Sequence, residues 1–253
     1  NEKLNRYSLR LNADQELMPQ LKIGVSSIIN YTIQNNGAQN DFTKALTAFP
    51  LGTPYDENGN IVYQYANQEY TPLGDFIANQ YVNQNRNTYV NANGYALYTP
   101  LKGLSLKSVV SATLNNSRLG QYWGAQATAN RPTYAGTPHA EILNSYGYNY
   151  SWENILTYTK TIAEKHSITL TGVSSWAQNQ SESNKAAGSG QTLDSWSFYR
   201  LTGATSLRVE SDYSQTQKMS YAFRFNYSYL GRYLFSFSNR WDGVSWLSEG
   251  KKW

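Results

Sequence analysis

Residues 217–244 read QKMSYAFRFNYSYLGRYLFSFSNRWDGV, and this stretch decides the fold. In its first arm the odd-numbered positions are apolar or aromatic, while the even-numbered positions are small, polar or basic. A period of two is the period of a β-strand. Leu230-Gly231-Arg232 then turns the chain, and the alternation resumes at Tyr233. The stretch therefore predicts a long β-hairpin with one aromatic face and one polar face.

The arms of this hairpin are too long for a typical soluble β-sandwich. Each alternates for about a dozen residues, whereas a soluble strand usually has about 5–6. A strand that crosses a membrane needs roughly 9–11 residues, with aromatic girdles at both interfaces and a polar interior. We therefore predict an outer-membrane β-barrel, with lipid outside and water inside. On this hypothesis the lipid-facing side chains are Leu21, Ile23, Val25, Leu106, Val110, Met219, Tyr221, Phe223, Phe225, Tyr227, Phe235 and Phe237.

The composition agrees with this interpretation. Charged residues make up 15% of the 253 residues, against about 25% in a typical soluble domain. Cysteine is absent, so the chain has no disulfide framework and no thiol chemistry. The net charge is +4, but the basic residues are scattered, which argues against nucleic-acid binding. The charge suits contact with anionic lipid headgroups or a mildly cationic lumen.

The same alternation recurs along the chain and predicts about eight strands in four hairpins. The other six arms are residues 6–12, 21–33, 86–99, 104–115, 148–158 and 168–178. The turn within each hairpin is short, whereas the connections between hairpins are expected to exceed about 25 residues. Those connections are residues 34–84, 117–147 and 179–212, and residues 196–209 could add an extra strand above the membrane. Short turns at one rim and long extracellular loops at the other are typical of a membrane barrel.

Two segments resemble the SusC/RagA family of TonB-dependent outer-membrane transporters. The first is WENILTYTK at residues 152–160 with KHSITL at 165–170. The second is RFNYSYLGRYL at residues 224–234, running into RWDG at 240–243. The resemblance implies an all-β, antiparallel segment of a larger barrel of roughly 22 strands. We therefore expect residues 1–253 to be a partial barrel domain, without the plug domain and the N-terminal signal.

The resemblance also implies a function. Transporters of this family actively import oligosaccharides or peptides across the outer membrane of Gram-negative bacteria, and they are not enzymes and need no cofactor. The implied partners are a SusD-like surface lipoprotein, the TonB–ExbB–ExbD energising complex acting through the plug, outer-membrane lipid and the cargo. Two alternatives stay open. One is a soluble, aromatic-rich, all-β glycan-binding module. The other is a complete eight-stranded outer-membrane barrel with a structural or adhesive role, in which the strand near Tyr7 would pair with the strand near Phe235.

Four aromatic residues of the expected outer loops are candidate contacts for cargo or for a partner: Tyr122, Trp123, Trp196 and Tyr199. Exposed aromatic rings stack on sugar rings, and loops often carry function. The alternative is that these rings pack the loops together or form the interface with the SusD-like lipoprotein.

The sequence predicts no catalytic or metal site. His139 and His166 are the only histidines, and neither has a second ligand at zinc spacing. The carboxylates are mostly isolated and form no evident pairing with a nucleophile or a base. Asp56-x-Asn58-Gly59 resembles the start of a calcium loop, but the later Glu of that pattern is missing. We interpret it as a turn.

Overall fold

The structure is a computed structural model that describes residues 2–38, 41–64, 70–131 and 135–253, except for the side chain of Asp41. It contains one antiparallel sheet of eight strands that pair in chain order. The strands are β1 (Lys3–Met18), β2 (Leu21–Asn35), β3 (Tyr81–Leu101), β4 (Leu104–Trp123), β5 (His139–Ile162), β6 (His166–Ser189), β7 (Ser206–Tyr229) and β8 (Tyr233–Val244). The prediction of about eight strands in four hairpins is confirmed. None of the helices formed by the described residues is long and apolar enough to cross a membrane.

Short turns join the strands at one end of the sheet. Gly103, between β3 and β4, has a φ of 83°, and a Cβ at this position would lie 2.1 Å from the carbonyl oxygen of Thr159. Gly231, between β7 and β8, has a φ of 68°. Both conformations favour glycine because it lacks a Cβ. The short-turn end predicted from the sequence is therefore present.

The opposite end carries the longer connections, which are residues 36–80, 124–138 and 190–205. The expectation that all three exceed about 25 residues is wrong for the second and third, which have 15 and 16 residues. Residues 196–209, which could have added an extra strand, do not form a separate one. Asp194–Tyr199 and Leu201–Gly203 are short 3-10 helices, and strand structure begins at Ser206. Helix α1 (Asp41–Thr47) and 3-10 helices at Pro72–Phe76 and Thr128–Asn130 lie in the other two connections.

The strands are longer than predicted, and in β4 to β6 the reason is that polar residues interrupt the apolar face in the loop-facing halves. Residues 117–123, 139–147, 179–189 and 206–212 were expected in loops but form continuous ladders in β4 to β7. On the aromatic side of these ladders stand Asn116, Arg118, Asn144, Gln180 and Asn184. These polar residues obscure the period of two in β4 to β6 although the backbone pairing continues. In β7 the period is visible, since Leu207, Val209 and Tyr213 alternate with charged residues. A 24-residue strand tilted by about 45° rises roughly 55 Å, about twice the ~25 Å apolar band.

The two faces of the sheet differ as predicted. Phe223, Leu106 and Phe235 are 41%, 41% and 57% exposed, so they are not sealed in a dry protein interior. All twelve side chains predicted to face lipid lie on this aromatic face, and none is buried. The hydrophobic core of the described residues is a small cluster of Tyr122, Ala140 and Phe198 near the loops. Contact of the aromatic face with lipid stays a prediction.

The sheet is open at both edges. Among the described residues β1 pairs only with β2, and β8 pairs only with β7. A complete eight-stranded barrel would need β1 and β8 to pair, because closure is what removes the edges of a barrel. This alternative is therefore wrong for the structure. Exposed edges also make an isolated sheet prone to aggregation.

Hydrogen bonds connect the three connections into a layer at the end of the sheet. We call the described parts of residues 36–80, 124–138 and 190–205 the loop layer. Gln80 donates to the carboxylate of Asp194 at 2.5 Å and accepts from the backbone N–H of Gln126 at 2.8 Å. The hydroxyl of Thr128 accepts from the N–H of Gly74 at 3.2 Å. These bonds join all three connections, so the layer is a packed structure.

The motif at Asp56 forms a turn, as expected. One carboxylate oxygen of Asp56 accepts from the backbone N–H groups of Asn60 and Asn58 at 2.8 Å and 2.9 Å. Hydrogen bonds from the backbone and side chain of Asn60 lower the pKa of this exposed carboxyl. Gly59 has a φ of 81°. The carboxylate therefore holds the loop itself together.

Candidate functional site

The polar face of the sheet collects charged and aromatic side chains where it meets the loop layer. The register places Trp123, His139 and Ser189 side by side on neighbouring strands. The next two rows along the strands bring in residues from β5, β6 and β7. We call the resulting group the rim cluster: Trp123, His139, Glu141, Lys185, Arg208 and Glu210.

Two ion pairs organise the rim cluster. The ammonium of Lys185 lies 2.8 Å from the Glu141 carboxylate, and Nε2 of His139 lies 3.7 Å from the same oxygen. Arg208 pairs with Glu210 on β7. The Lys185 and Arg208 side chains are 35% and 78% exposed, so both present positive charge to solvent while their partners balance it. The cluster therefore offers both cationic hydrogen-bond donors and anionic hydrogen-bond acceptors.

Glu141 lies beyond the predicted apolar band. On β5 the outward-facing tyrosines end at Tyr146, and Glu141 lies about 12 Å farther toward the loops for a strand tilted by ~45°. Hydrogen bonds from His139 and then Lys185 lower the pKa of the Glu141 carboxyl, against the opposing effect of burial. Hydrogen bonding to the charged form of a carboxyl favours that form. The Glu141 carboxyl therefore stays negatively charged in mildly acidic solution.

An aromatic ring borders this charged group. The ring of Trp123 lies 5.5 Å from the ring of His139 and 6.4 Å from the ring of Tyr81. Beside it, His139, Glu141 and their neighbours on β6 and β7 line a cavity of about 240 Å³. An indole face next to paired charges can stack on a sugar ring or bind the polar groups of a peptide.

The four predicted loop aromatics do not lie together. Tyr122 is the penultimate residue of β4 and is 0% exposed, and its hydroxyl donates to Asp194 at 2.5 Å. The expectation that it is an exposed loop residue is therefore wrong, and its burial favours the packing role. Trp196 is half-buried, with the Arg200 guanidinium 4.5 Å from its ring. Tyr199 is 63% exposed beside Phe198. Of the two that lie on β4, only Trp123 faces the polar side, and contact of the four residues with cargo stays a prediction.

Sequence reasoning missed the charged members of the rim cluster. Glu141, Lys185 and Arg208 lie far apart in the chain, and each stands in a segment that was expected to be loop. The long ladders of β5, β6 and β7 bring them into adjacent rows. The contacts among these residues follow from the register of the ladders. In β5 and β6 the sequence has no regular apolar alternation from which that register could be predicted, whereas in β7 Leu207 and Val209 alternate with the charged residues.

Comparisons with known proteins relate the chain to receptors. No family model matches it. The chain is 29% identical to TonB-dependent receptor P26 of Formosa agariphila, over 99% of this chain and 25% of that protein. It is 30% identical to TonB-dependent receptor SusC of Bacteroides thetaiotaomicron over 112 residues, which are 44% of this chain and 11% of SusC. The chain thus spans about a quarter of the length of the first of these relatives.

Solved structures share the fold. A structure of the RagAB peptide importer in the "closed-closed" state matches 99% of this chain and 29% of its own, with a TM-score of 0.80 and 21% identity. Its "open-open" state gives a TM-score of 0.79 with 22% identity. The relatives are TonB-dependent receptors and not enzymes, in agreement with the sequence, and they argue against the soluble glycan-binding module. The chain is thus similar over nearly its whole length to part of the TonB-dependent receptors, and it has the fold of a β-barrel segment of the RagAB importers.

Proposed function

We propose that the eight strands form part of the wall of an energised outer-membrane importer whose cargo is an oligosaccharide or a peptide. One observation carries the proposal: the sheet is a single layer with an exposed aromatic face and, opposite it, a polar face that runs from the short turns to the rim cluster. A wall between lipid and a water-filled lumen needs this division. Residues 1–253 are on this proposal a partial barrel domain, and plug and signal are separate parts of the receptor.

The lumenal surface offers cargo two polar regions. The rim cluster lies at the loop end, and its Trp123 provides the stacking surface. Nearer the short turns, Arg224 and Arg240 help to line a cavity of about 490 Å³ on the same face. A cargo that leaves the rim cluster therefore meets further hydrogen-bond donors on its way along the wall. The peptide importers of the same fold support peptides as one cargo class.

The loop layer supplies a surface for the SusD-like lipoprotein. Phe42 and Leu46 on α1 are 77% and 70% exposed, and Leu51 and Phe76 are 85% and 70% exposed. Exposed apolar side chains on a packed support are typical of an interaction surface. Energy for transport comes, on this proposal, from the TonB–ExbB–ExbD complex acting through the plug of the full-length receptor.

The test of the proposal is the uptake of candidate glycans and peptides by cells with and without the gene for the full-length receptor. We expect uptake to require the receptor and TonB. Loss of an aromatic contact of about 0.5–1.5 kcal/mol should raise the half-saturating cargo concentration of Trp123→Ala by roughly 2- to 13-fold. Trp152→Ala, which removes an exposed indole from the aromatic face, is the matched control. Uptake that survives deletion of the receptor gene for every cargo tested would refute an importer.

A further inference from the structure

Two arginines on the outward, aromatic face of the sheet lie side by side without a carboxylate between them. Arg86 on β3 and Arg118 on β4 are register partners, and both are partly exposed. Arg118 has the same parity on β4 as Leu106 and Val110, so it points to the side that we predict to face lipid. We propose that Arg86 and Arg118 bind the phosphate group of a glycolipid in the outer leaflet. The inference rests on the sidedness proposed above.

The charges of this pair are not neutralised within the sheet. Nε of Arg86 and Nη2 of Arg118 both donate to the side-chain oxygen of Gln84, each at 2.9 Å. This acceptor is a neutral amide, and no ion pair of the described residues includes either arginine. The only carboxylate on the outward face of the described strands is Glu182, which belongs to β6 and accepts from Gln180. Two cations held close together on a neutral acceptor favour an anion.

The height of the pair matches lipid headgroups. On β4 the outward positions from Leu104 to Leu114 include only one polar residue, Ser108. Ten residues of strand tilted by about 45° rise roughly 24 Å, which is close to the ~25 Å apolar band. Asn116 and Arg118 follow, and Arg118 lies about 10 Å above Leu114 by the same measure. This is the depth of the polar headgroup region, where glycolipid phosphates lie.

The Arg118 guanidinium is held in place. It lies 5.4 Å and 5.5 Å from the rings of Phe198 and Tyr199. Phe198 reaches the sheet because residue 120 is glycine, since a Cβ there would lie 2.3 Å from the ring. A guanidinium fixed by stacking loses little entropy when it forms a bidentate pair with phosphate. Tyr199, exposed at the same level, fits an interfacial aromatic residue.

The full-length receptor, purified from outer membranes in mild detergent, provides the test. Native mass spectrometry should detect bound bis-phosphorylated lipid A, and binding of the dephosphorylated lipid should be at least about tenfold weaker. The double variant Arg86→Gln/Arg118→Gln should bind the phosphorylated lipid more weakly than the wild type by a similar factor. Lys107→Gln removes a charge from the opposite face of β4 and should bind as the wild type does. Retained affinity in the double variant, or equal binding of both lipids by the wild type, would overturn the site.

Two further arms separate the competing explanations. If Arg118→Gln disturbs the contacts with Phe198 and Tyr199, lipid binding by the single variant Arg86→Gln tests the site, because Arg86 makes neither of these contacts. Saturation by inorganic phosphate without any preference for the phosphorylated lipid would overturn a glycolipid ligand. Cargo uptake is measured in the same variants. Loss of lipid binding with normal uptake supports the site, and a receptor that binds lipid normally but imports nothing refutes the transport proposal alone.

Discussion

Sidedness is most sharply tested at two adjacent residues of β7. Phe225 faces the aromatic side and Asn226 faces the polar side. The outward run of β7 extends from Met219 to Tyr229, so Phe225 lies within one residue of its midpoint. We compare Phe225→Arg with Asn226→Arg, which place the same charge at the same depth on opposite faces.

The structure sets the expected magnitudes. An arginine on the lipid face near the midplane costs about 2–4 kcal/mol. Phe225 also loses its ring contact with Phe235, whose centroid lies 6.1 Å away and which is worth about 0.5–1.5 kcal/mol. Asn226 loses the hydrogen bond that it accepts from Ser236 at 2.7 Å, worth roughly 1 kcal/mol. We therefore expect Phe225→Arg to cost about 2–4 kcal/mol more than Asn226→Arg.

The assay is equilibrium unfolding of the full-length receptor in phospholipid vesicles, with guanidinium as the denaturant and tryptophan fluorescence as the signal. The level of folded receptor in the outer membrane provides a second readout, because it does not depend on reversible unfolding. Equal costs at the two positions, or a larger cost at Asn226, would refute an aromatic face in lipid. The importer proposal would then lose its physical basis.

Three further predictions concern a turn, the loop layer and the rim cluster. Gly103→Ala should lower the free energy of unfolding by about 1–2 kcal/mol. The loss should be larger than that of Gly231→Ala, because no atom would crowd a Cβ at Gly231. The unfolding midpoints of the two variants measure this difference. Gly120→Leu should displace Phe198 from the sheet and speed proteolysis within residues 190–205, and an unchanged cleavage rate would contradict this packing. The pKa of the Glu141 carboxyl is lowered in the folded protein. Its ion pair with Lys185 therefore contributes fully at any pH above the ordinary pKa of a glutamate, about 4.3, and this contribution is lost only as the pH falls through the lower folded-state pKa. Cargo binding should therefore persist at pH ~4.3 in the wild type, and Glu141→Gln should abolish the loss at lower pH.

The sequence predicts the half of this fold nearer the short turns because its two faces differ in polarity, which gives a period of two. On the proposal above, the apolar face is the one that contacts lipid. From Met219 to Phe237 the alternation is uninterrupted except at the turn, and both arms were placed correctly. Above the apolar band, solvent touches both faces, and a strand residue such as Asn144 or Asn184 has no reason to be apolar. Backbone hydrogen bonds between neighbours continue there regardless of side chain. These halves of β4 to β6 were therefore expected to be loops.

The candidate site was unpredictable for a related reason. Glu141 and Lys185 stand 44 positions apart in the sequence and meet because β5 and β6 pair without a register shift from Ile162 to His139. A pairing of that length cannot be inferred from one chain when both partners are polar. Tyr122 illustrates the opposite error, since an aromatic residue in a polar segment was expected to be exposed but fills the small core beneath the loop layer.

A single feature of β4 connects the two proposals. Along its outward face the residues change from Leu114 to Asn116 to Arg118 while the ladder with β3 continues without interruption. On the proposed sidedness this change marks the edge of the hydrocarbon layer, because the side chains, unlike the backbone pairing, must suit the surrounding medium. We therefore propose that Arg118 lies at the depth of lipid phosphates, whereas Trp123, farther along the same strand and on the other face, belongs to the rim cluster. On these proposals, a strand that extends beyond the membrane presents a lipid contact on its outward face and a cargo contact on its inward face. Because successive side chains point to opposite faces, an even or odd residue number on β4 decides which contact a residue can make.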